Sequence, residues 1–183
     1  MKKLMIAAAI VCATVCANAA QYDWKTPNTG KVYAGSTSAL FSGTAYLFGF
    51  ADATAAADGQ EAIFDALAAK TAITTLGAID NSAVAAGVIA AKDTKANFDG
   101  NITAFFAIVD GDNFYIGPVA SAAAKDVGSN TISFNAKASS QAAAKMAADG
   151  YKGAGWYTAV PEPTSGLLLL LGVAGLALKR RRA

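Results

Sequence analysis

The two longest apolar stretches of the chain lie at its two ends, and they limit the foldable body to the residues between them. Residues 4–16 follow Lys2 and Lys3, and residues 166–178 precede a run of basic residues. Apolar runs with basic flanks are typical of targeting and membrane segments rather than of a globular core. We therefore expect one exported β-rich domain over residues 20–159, a length that buries a single core and leaves little room for a second.

Residues 1–19 have the three parts of a secretory signal peptide: a basic start, a short apolar run and small residues at the cleavage boundary. Ala17 and Ala19 hold the small-residue positions that signal cleavage requires, so we predict that Ala20 begins the mature protein. An uncleaved membrane anchor is the alternative, but the apolar run is short for a span. The chain is therefore predicted to be exported.

The composition excludes several kinds of chemistry. The chain has no histidine, and its two cysteines lie within the signal peptide. Serine–histidine and cysteine–histidine catalysis, and zinc sites built from these residues, therefore lack essential groups. Residues 20–160 contain nine Lys or Arg against twelve Asp or Glu, so they lack the basic excess of a nucleic-acid binder. We predict no metal, no cofactor and no nucleic-acid partner.

The C-terminal segment 160–183 has three parts in a fixed order. They are the motif Val160, Pro161, Glu162 and Pro163, a predicted transmembrane helix over 165–178, and the basic residues Lys179, Arg180, Arg181 and Arg182. Basic residues beside a membrane segment stay on the cytoplasmic side, which places the body outside. Each proline favours extended backbone at the residue before it, so we expect the motif to be accessible to a processing enzyme.

This ordered set of Pro-Glu-Pro, short leucine-rich helix and arginine cluster resembles the PEP-CTERM sorting signal of bacteria that make exopolysaccharide. The resemblance covers only the tail. It implies an exosortase-like transpeptidase and the secretion machinery as partners, and inner-membrane anchoring through the tail before processing. Delivery to the envelope, the cell surface or the extracellular matrix would follow, with exopolysaccharide as a further partner. An anchor that is never processed, carrying a membrane-tethered binding module, is an alternative.

The body contains short β-patterned segments and two helical ones. The predicted strands are 31–34, 43–51, a segment around Val88, 102–109, 114–119, 131–136 and 156–160, and the predicted helices are 58–70 and 140–149. Asp58 is expected to cap the first helix and Gly150 to end the second. The turn-forming residues 110–113 predict a β-hairpin. This content favours a mainly β fold, either a β-sandwich or an antiparallel α+β layer, with two short helices.

Two groups of residues raise other functions. A carboxylate-based enzyme that processes envelope glycans is the rival to a non-enzymatic surface or matrix protein, although the sequence pairs none of its acids. The acids available to it are Asp23, Asp99, Asp110, Asp112 and Asp126. An aromatic sugar-binding surface could use Tyr22, Trp24, Tyr151, Trp156 and Tyr157, but we expect these rings to pack in the core. The non-enzymatic function is the one that we prefer.

Overall fold

The computed structural model describes residues 19–27, 30–34, 39–90, 95–125, 130–136 and 145–160. Within these ranges the chain forms two β-sheets and one α-helix, which confirms the mainly β prediction and fits a β-sandwich-like fold. The strands are β1 (Ala20–Lys25), β2 (Gly43–Phe50), β3 (Asp80–Ala85), β4 (Val88–Ile89), β5 (Ala96–Phe98), β6 (Ile102–Asp110), β7 (Asn113–Ile116), β8 (Ala120–Ala122), β9 (Asn130–Ser133), β10 (Lys145–Met146) and β11 (Gly155–Thr158). The helix is α1 (Ala53–Ala68), and 3₁₀ turns cover Ile73–Thr75 and Ala147–Asp149.

Strand β6 lies at the centre of the larger sheet. Its first seven residues are all buried, so both faces of the strand need a covering layer. It pairs antiparallel with β2 on one side, and with β7 and β8 on the other. The larger sheet follows the order β10-β11-β7-β6-β2-β3-β4, with β8 attached to β6, while the smaller sheet has the order β5-β1-β9.

The smaller sheet covers one face of the larger sheet through the aromatic residues of β1. Tyr22 and Trp24 are fully buried, and the Trp24 ring lies 6.4 Å from Phe106 of β6 and 6.3 Å from Phe134. The Trp24 indole nitrogen donates a hydrogen bond of 2.7 Å to a carboxylate oxygen of Asp80 in β3. This strand had no sequence prediction of its own. It joins the two sheets and runs parallel to β9.

Helix α1 covers the opposite face of the larger sheet. Ile63, Phe64 and Leu67 are buried against aromatic residues of that sheet. Gly59 permits the close approach, since a Cβ atom there would lie 2.2 Å from the Phe50 ring. A glycine inside a helix costs roughly 0.5–1 kcal/mol relative to alanine, and here the ring occupies the space that alanine would need.

Two hairpins are built on two-residue turns. The hairpin predicted around 110–113 is confirmed: Asp110 pairs with Asn113, and Gly111 has φ +61°. The segment around Val88 belongs to a second hairpin, in which Ala86 (φ +47°) and Gly87 (φ +75°) connect β3 to β4. In this second hairpin, positive φ at both Ala86 and Gly87 matches the twist of the flanking strands.

The predicted second helix is wrong where the structure describes it. Lys145 and Met146 form β10 and pair parallel with β11, and a 3₁₀ turn with buried Ala147 follows. Strand pairing and burial of Ala147 outweigh the helix propensity of this alanine-rich segment. Gly150 has the expected positive φ, +76°, while residues 140–144 lie outside the described ranges.

Two strand predictions need shorter bounds. The segment 31–34 forms only an isolated bridge, between Tyr33 and Leu40. β7 ends at Ile116 rather than at 119, since the next residues are Gly117 and Pro118, and proline has no N–H for the ladder. The strands predicted at 43–51, 131–136 and 156–160 are confirmed, and each of their ends lies within three residues of the predicted bound.

Most of the predicted targeting residues lie outside the described ranges. These are residues 1–18, which include Ala17, and residues 161–183, which include the predicted transmembrane helix 165–178. Among the residues that the structure does describe, no helix has both the length and the apolar character to cross a membrane.

Helix α1 begins earlier than predicted, at Ala53 instead of near Asp58. Asp52 is the N-cap: its backbone is extended, with φ −148° and ψ 174°, and its side chain accepts a hydrogen bond of 2.8 Å from the Ala55 N–H. The alanine-rich stretch that follows has high helix propensity and carries the helix through Asp58. Asp58 therefore lies on an exposed position inside the helix.

Replacing the two candidate caps separately distinguishes them. Asp52→Ala should lower the free energy of unfolding by about 1 kcal/mol, because the Ala55 N–H loses its acceptor. Asp58→Ala is the matched control and should leave stability unchanged or slightly higher, because alanine is the better helix former. Urea unfolding of both variants measures this, and a larger loss for Asp58→Ala would contradict the observed helix start.

Candidate functional site

The last strand of the body leads directly into the predicted sorting motif. β11 pairs antiparallel with β7, from Gly155 opposite Ile116 to Thr158 opposite Asn113. Trp156 is buried in the core between the two sheets, and Tyr157 is buried on the helix side. Core packing on both faces of the larger sheet therefore holds β11 in place.

The Tyr157 hydroxyl holds the loop before β11 against the strand. It donates a hydrogen bond of 2.5 Å to the Gly153 carbonyl and accepts one of 2.9 Å from the Lys152 N–H. The ring packs edge-on against Phe64 at 4.9 Å and stacks with Phe114 at 5.6 Å. Residues 150–155, which resemble a flexible linker by composition, thus form a turn tied to the final strand.

Packing of the body continues to Val160. The Thr158 hydroxyl donates a hydrogen bond of 2.8 Å to the side-chain oxygen of Asn113, and the Ala159 N–H donates one of 2.8 Å to the Asp112 carbonyl. Ala159 is buried, and Val160 packs partly against the apolar cluster between α1 and the larger sheet. The motif residue Val160 is therefore part of the folded body. Pro161, Glu162, Pro163 and the basic residues 179–182 lie outside the described ranges.

A shallow groove of about 170 Å³ lies beside this point. Leu67 and Ile73 from the helix side, Val109 and Phe114 from the hairpin, and Ala159 contribute apolar atoms to it. At its rim the Lys70 ammonium lies 3.0 Å from an Asp112 carboxylate oxygen, and both side chains are about half exposed or more. Such exposed pairs contribute at most about 1 kcal/mol to the free energy of unfolding. This pair therefore borders the groove but adds little to the stability of the fold.

Lys70 occupies an unusual backbone position next to the groove. Its φ is +57°, at the place after a helix end where glycine is usual. The Thr71 N–H donates to the Ala66 carbonyl and the Lys70 N–H donates to the Leu67 carbonyl, which satisfies two carbonyls in the last turn of α1. The Lys70 ammonium, just after the helix end, is therefore directed to the hairpin turn that contains Asp112.

We call this side of the body the exit end and define it by residues 70–72, 109–113, Met146 and 158–160. The N-terminal strand starts at the other side. Ala20, the predicted first residue after signal cleavage, pairs with Phe98, and Ile102 at the start of β6 pairs with Ala122. We call this side the far end. β6 connects the two ends over about 27 Å, given the eight steps between its nine residues at about 3.3–3.4 Å each.

The candidate acids do not converge. Asp110 and Asp112 lie in the hairpin turn at the exit end, Asp23 lies in β1 and Asp99 lies at the far end, while Asp126 is outside the described ranges. Among the described lining residues, Asp112 is the one carboxylate in the groove, and it is paired with Lys70. In the described part of the chain, no three acidic residues are grouped as a metal site requires.

The candidate aromatic surface is an interior feature, as we expected. Tyr22, Trp24, Trp156 and Tyr157 are at most 3% exposed, and each contributes to the core. Tyr151 is partly buried and packs against Phe64 and Tyr157. These rings are therefore not presented for stacking on a sugar.

β11 ends at Thr158, and the tail identified from the sequence follows within two residues. Residues 159–182 match the family model described as the PEP-CTERM protein-sorting motif. The chain therefore carries the PEP-CTERM signal of an exported protein that exosortase-like machinery sorts to the cell envelope. No curated protein and no solved structure matches the chain.

Removing the Tyr157 hydroxyl should weaken the hold on β11. Tyr157→Phe keeps the ring but loses both hydrogen bonds, so the free energy of unfolding should fall by about 1–2 kcal/mol. Tyr46→Phe, at a half-buried tyrosine of the same apolar cluster, is the control and should change it less. Urea unfolding at neutral pH measures both variants.

The same variant has a signature at alkaline pH. Burial raises the pKa of Tyr157 above its usual 10.0. Above about pH 10 the unfolded chain loses this proton more readily than the folded chain, so stability declines as pH rises through the folded pKa. Tyr157→Phe should reduce this decline. Unchanged stability and an unchanged alkaline slope would contradict the role of the hydroxyl.

Proposed function

We propose that the chain is a non-enzymatic surface or extracellular-matrix protein, held at the inner membrane by its tail until an exosortase-like transpeptidase cuts at the motif. The observation that carries the proposal is the position of the motif. The match begins at Ala159, where the hydrogen-bonded and buried part of the body ends. Such an arrangement lets the tail be removed without loss of a strand, helix or core residue that the structure describes.

A structural or adhesive role for the body agrees with its side chains. It lacks the histidine and cysteine that many hydrolytic mechanisms use, and its groove combines apolar side chains with an acid that is already paired. If the body associates with exopolysaccharide, exposed hydroxyl, amide and charged groups would make the contacts, because the large rings near both ends are interior. No observation favours the carboxylate-enzyme alternative.

The proposal is tested by changing the motif in the native host. In Pro161→Ala/Glu162→Ala/Pro163→Ala, the conformational restriction and the single charge before the apolar segment are lost together. We expect this variant to stay in the membrane fraction with its tail attached, while the unaltered protein is released from it. Fractionation followed by detection with antibodies against the body and against the tail measures the distribution.

Thr164→Ala/Ser165→Ala is the matched control, because it changes the last connector residue and the first residue of the predicted helix without touching Pro-Glu-Pro. It should be processed like the unaltered protein. Equal release of the triple variant would contradict recognition through the motif. Retention of the tail in the unaltered protein would instead indicate a permanently tethered module.

A further inference from the structure

The connection between the body and the predicted membrane segment is short. Val160 packs on the helix-side cluster, and the predicted transmembrane helix begins at Ser165. Five Cα-to-Cα steps of at most about 3.6 Å allow a separation of at most about 18 Å. Because the headgroup layer of each leaflet is itself about 5–7 Å thick, little aqueous space remains between the body and the lipid.

The chain leaves the body at one defined end of the sandwich. Met146, Thr158, Asn113 and Asp110 form one row across neighbouring strands, and Ala159 continues past that row beside the groove. The far end lies about one β6 length away, about 27 Å. A connection of at most about 18 Å cannot bring the far end to the lipid while the exit end points to solvent.

We propose that the exit end is the surface that the body presents to lipid headgroups before processing. This inference rests on the proposed function, since it requires the tail to be inserted in a bilayer. It adds a specific interaction surface: the end of α1, the β6–β7 turn and the edge at Met146. Any enzyme that cuts the motif must then approach through the narrow space between this surface and the bilayer.

The chemistry of the exit end suits an interfacial layer. Val109 and Met146 are two large apolar side chains with high exposure, 40% and 50%, and both lie on this side. Lys70 and Asp112 balance each other, and Asp110 adds one negative charge. Basic residues are not in excess at the exit end, so attraction to anionic lipid does not orient the body. The short connection between Val160 and Ser165 sets the orientation instead.

A pair of labelled alanines tests the orientation. Ala72 is exposed at the exit end, Ala123 is exposed beside β8 at the far end, and residues 20–183 contain no cysteine. Ala72→Cys and Ala123→Cys in the chain 20–183 accept a spin label, and the protein is placed in vesicles whose lipids carry a nickel chelate on the headgroup. Thermal unfolding of both labelled variants should match that of the unlabelled protein.

Nickel-induced relaxation falls steeply with distance, so the label at position 72 should relax at least about fivefold faster than the label at 123, given the strand length that separates the two ends. The ratio should be the same in neutral vesicles and in vesicles containing anionic lipid. Equal relaxation at both positions, faster relaxation at 123, or a ratio that appears only with anionic lipid would overturn the inference.

Vesicle flotation separates this inference from the proposed function. We expect the chain 20–183 to float with the vesicles and a chain that ends at Val160 not to float. This pair of results supports insertion of the tail. If the longer chain floats and the two labels behave alike, only the orientation is refuted. If the longer chain does not float, the proposed anchoring and the orientation are both refuted.

Discussion

The two-sided burial of β6 is the constraint on which the rest of the body depends. An uninterrupted run of seven buried residues requires one layer on each face, and the chain supplies the small sheet through Tyr22 and Trp24 and the helix through Phe64. Each fully buried large side chain contributes roughly 1.5–3 kcal/mol, so these two contact surfaces dominate the stability of residues 20–160, which contain no cysteine. β11 extends the same sheet, which is why the start of the tail is fixed by the core.

Segments whose residues determine their own local structure could be predicted from the sequence. The 110–113 turn between two β-patterned runs predicts its hairpin. The alternation of Tyr46, Leu47 and Phe48 predicts a strand buried on at least one side, and β2 forms there. Predictions failed where distant contacts decide. Lys145 and Met146 are in a strand because β11 is beside them, and β1 is in a sheet because β5 and β9 flank it.

The candidate site could also be predicted only in part. The sorting motif is written in consecutive residues, so Val160 and Pro-Glu-Pro could be identified directly and agree with the match over 159–182. The groove could not be predicted, because it joins Lys70 to Asp112 across 42 residues of sequence. Burial of the aromatic residues near the ends could be expected from their large apolar surface, and their positions between the layers confirm it.

We propose that the folded body is the product left between two processing events. Its first strand starts at Ala20 and its last contacts end at Val160, so removal of both ends leaves every described strand complete. Intact mass and terminal-peptide analysis of the protein from its native host test this most directly. We expect an N-terminus at Ala20 and a C-terminus close to Pro163, and a mature protein that retains residues 179–182 would contradict the claim.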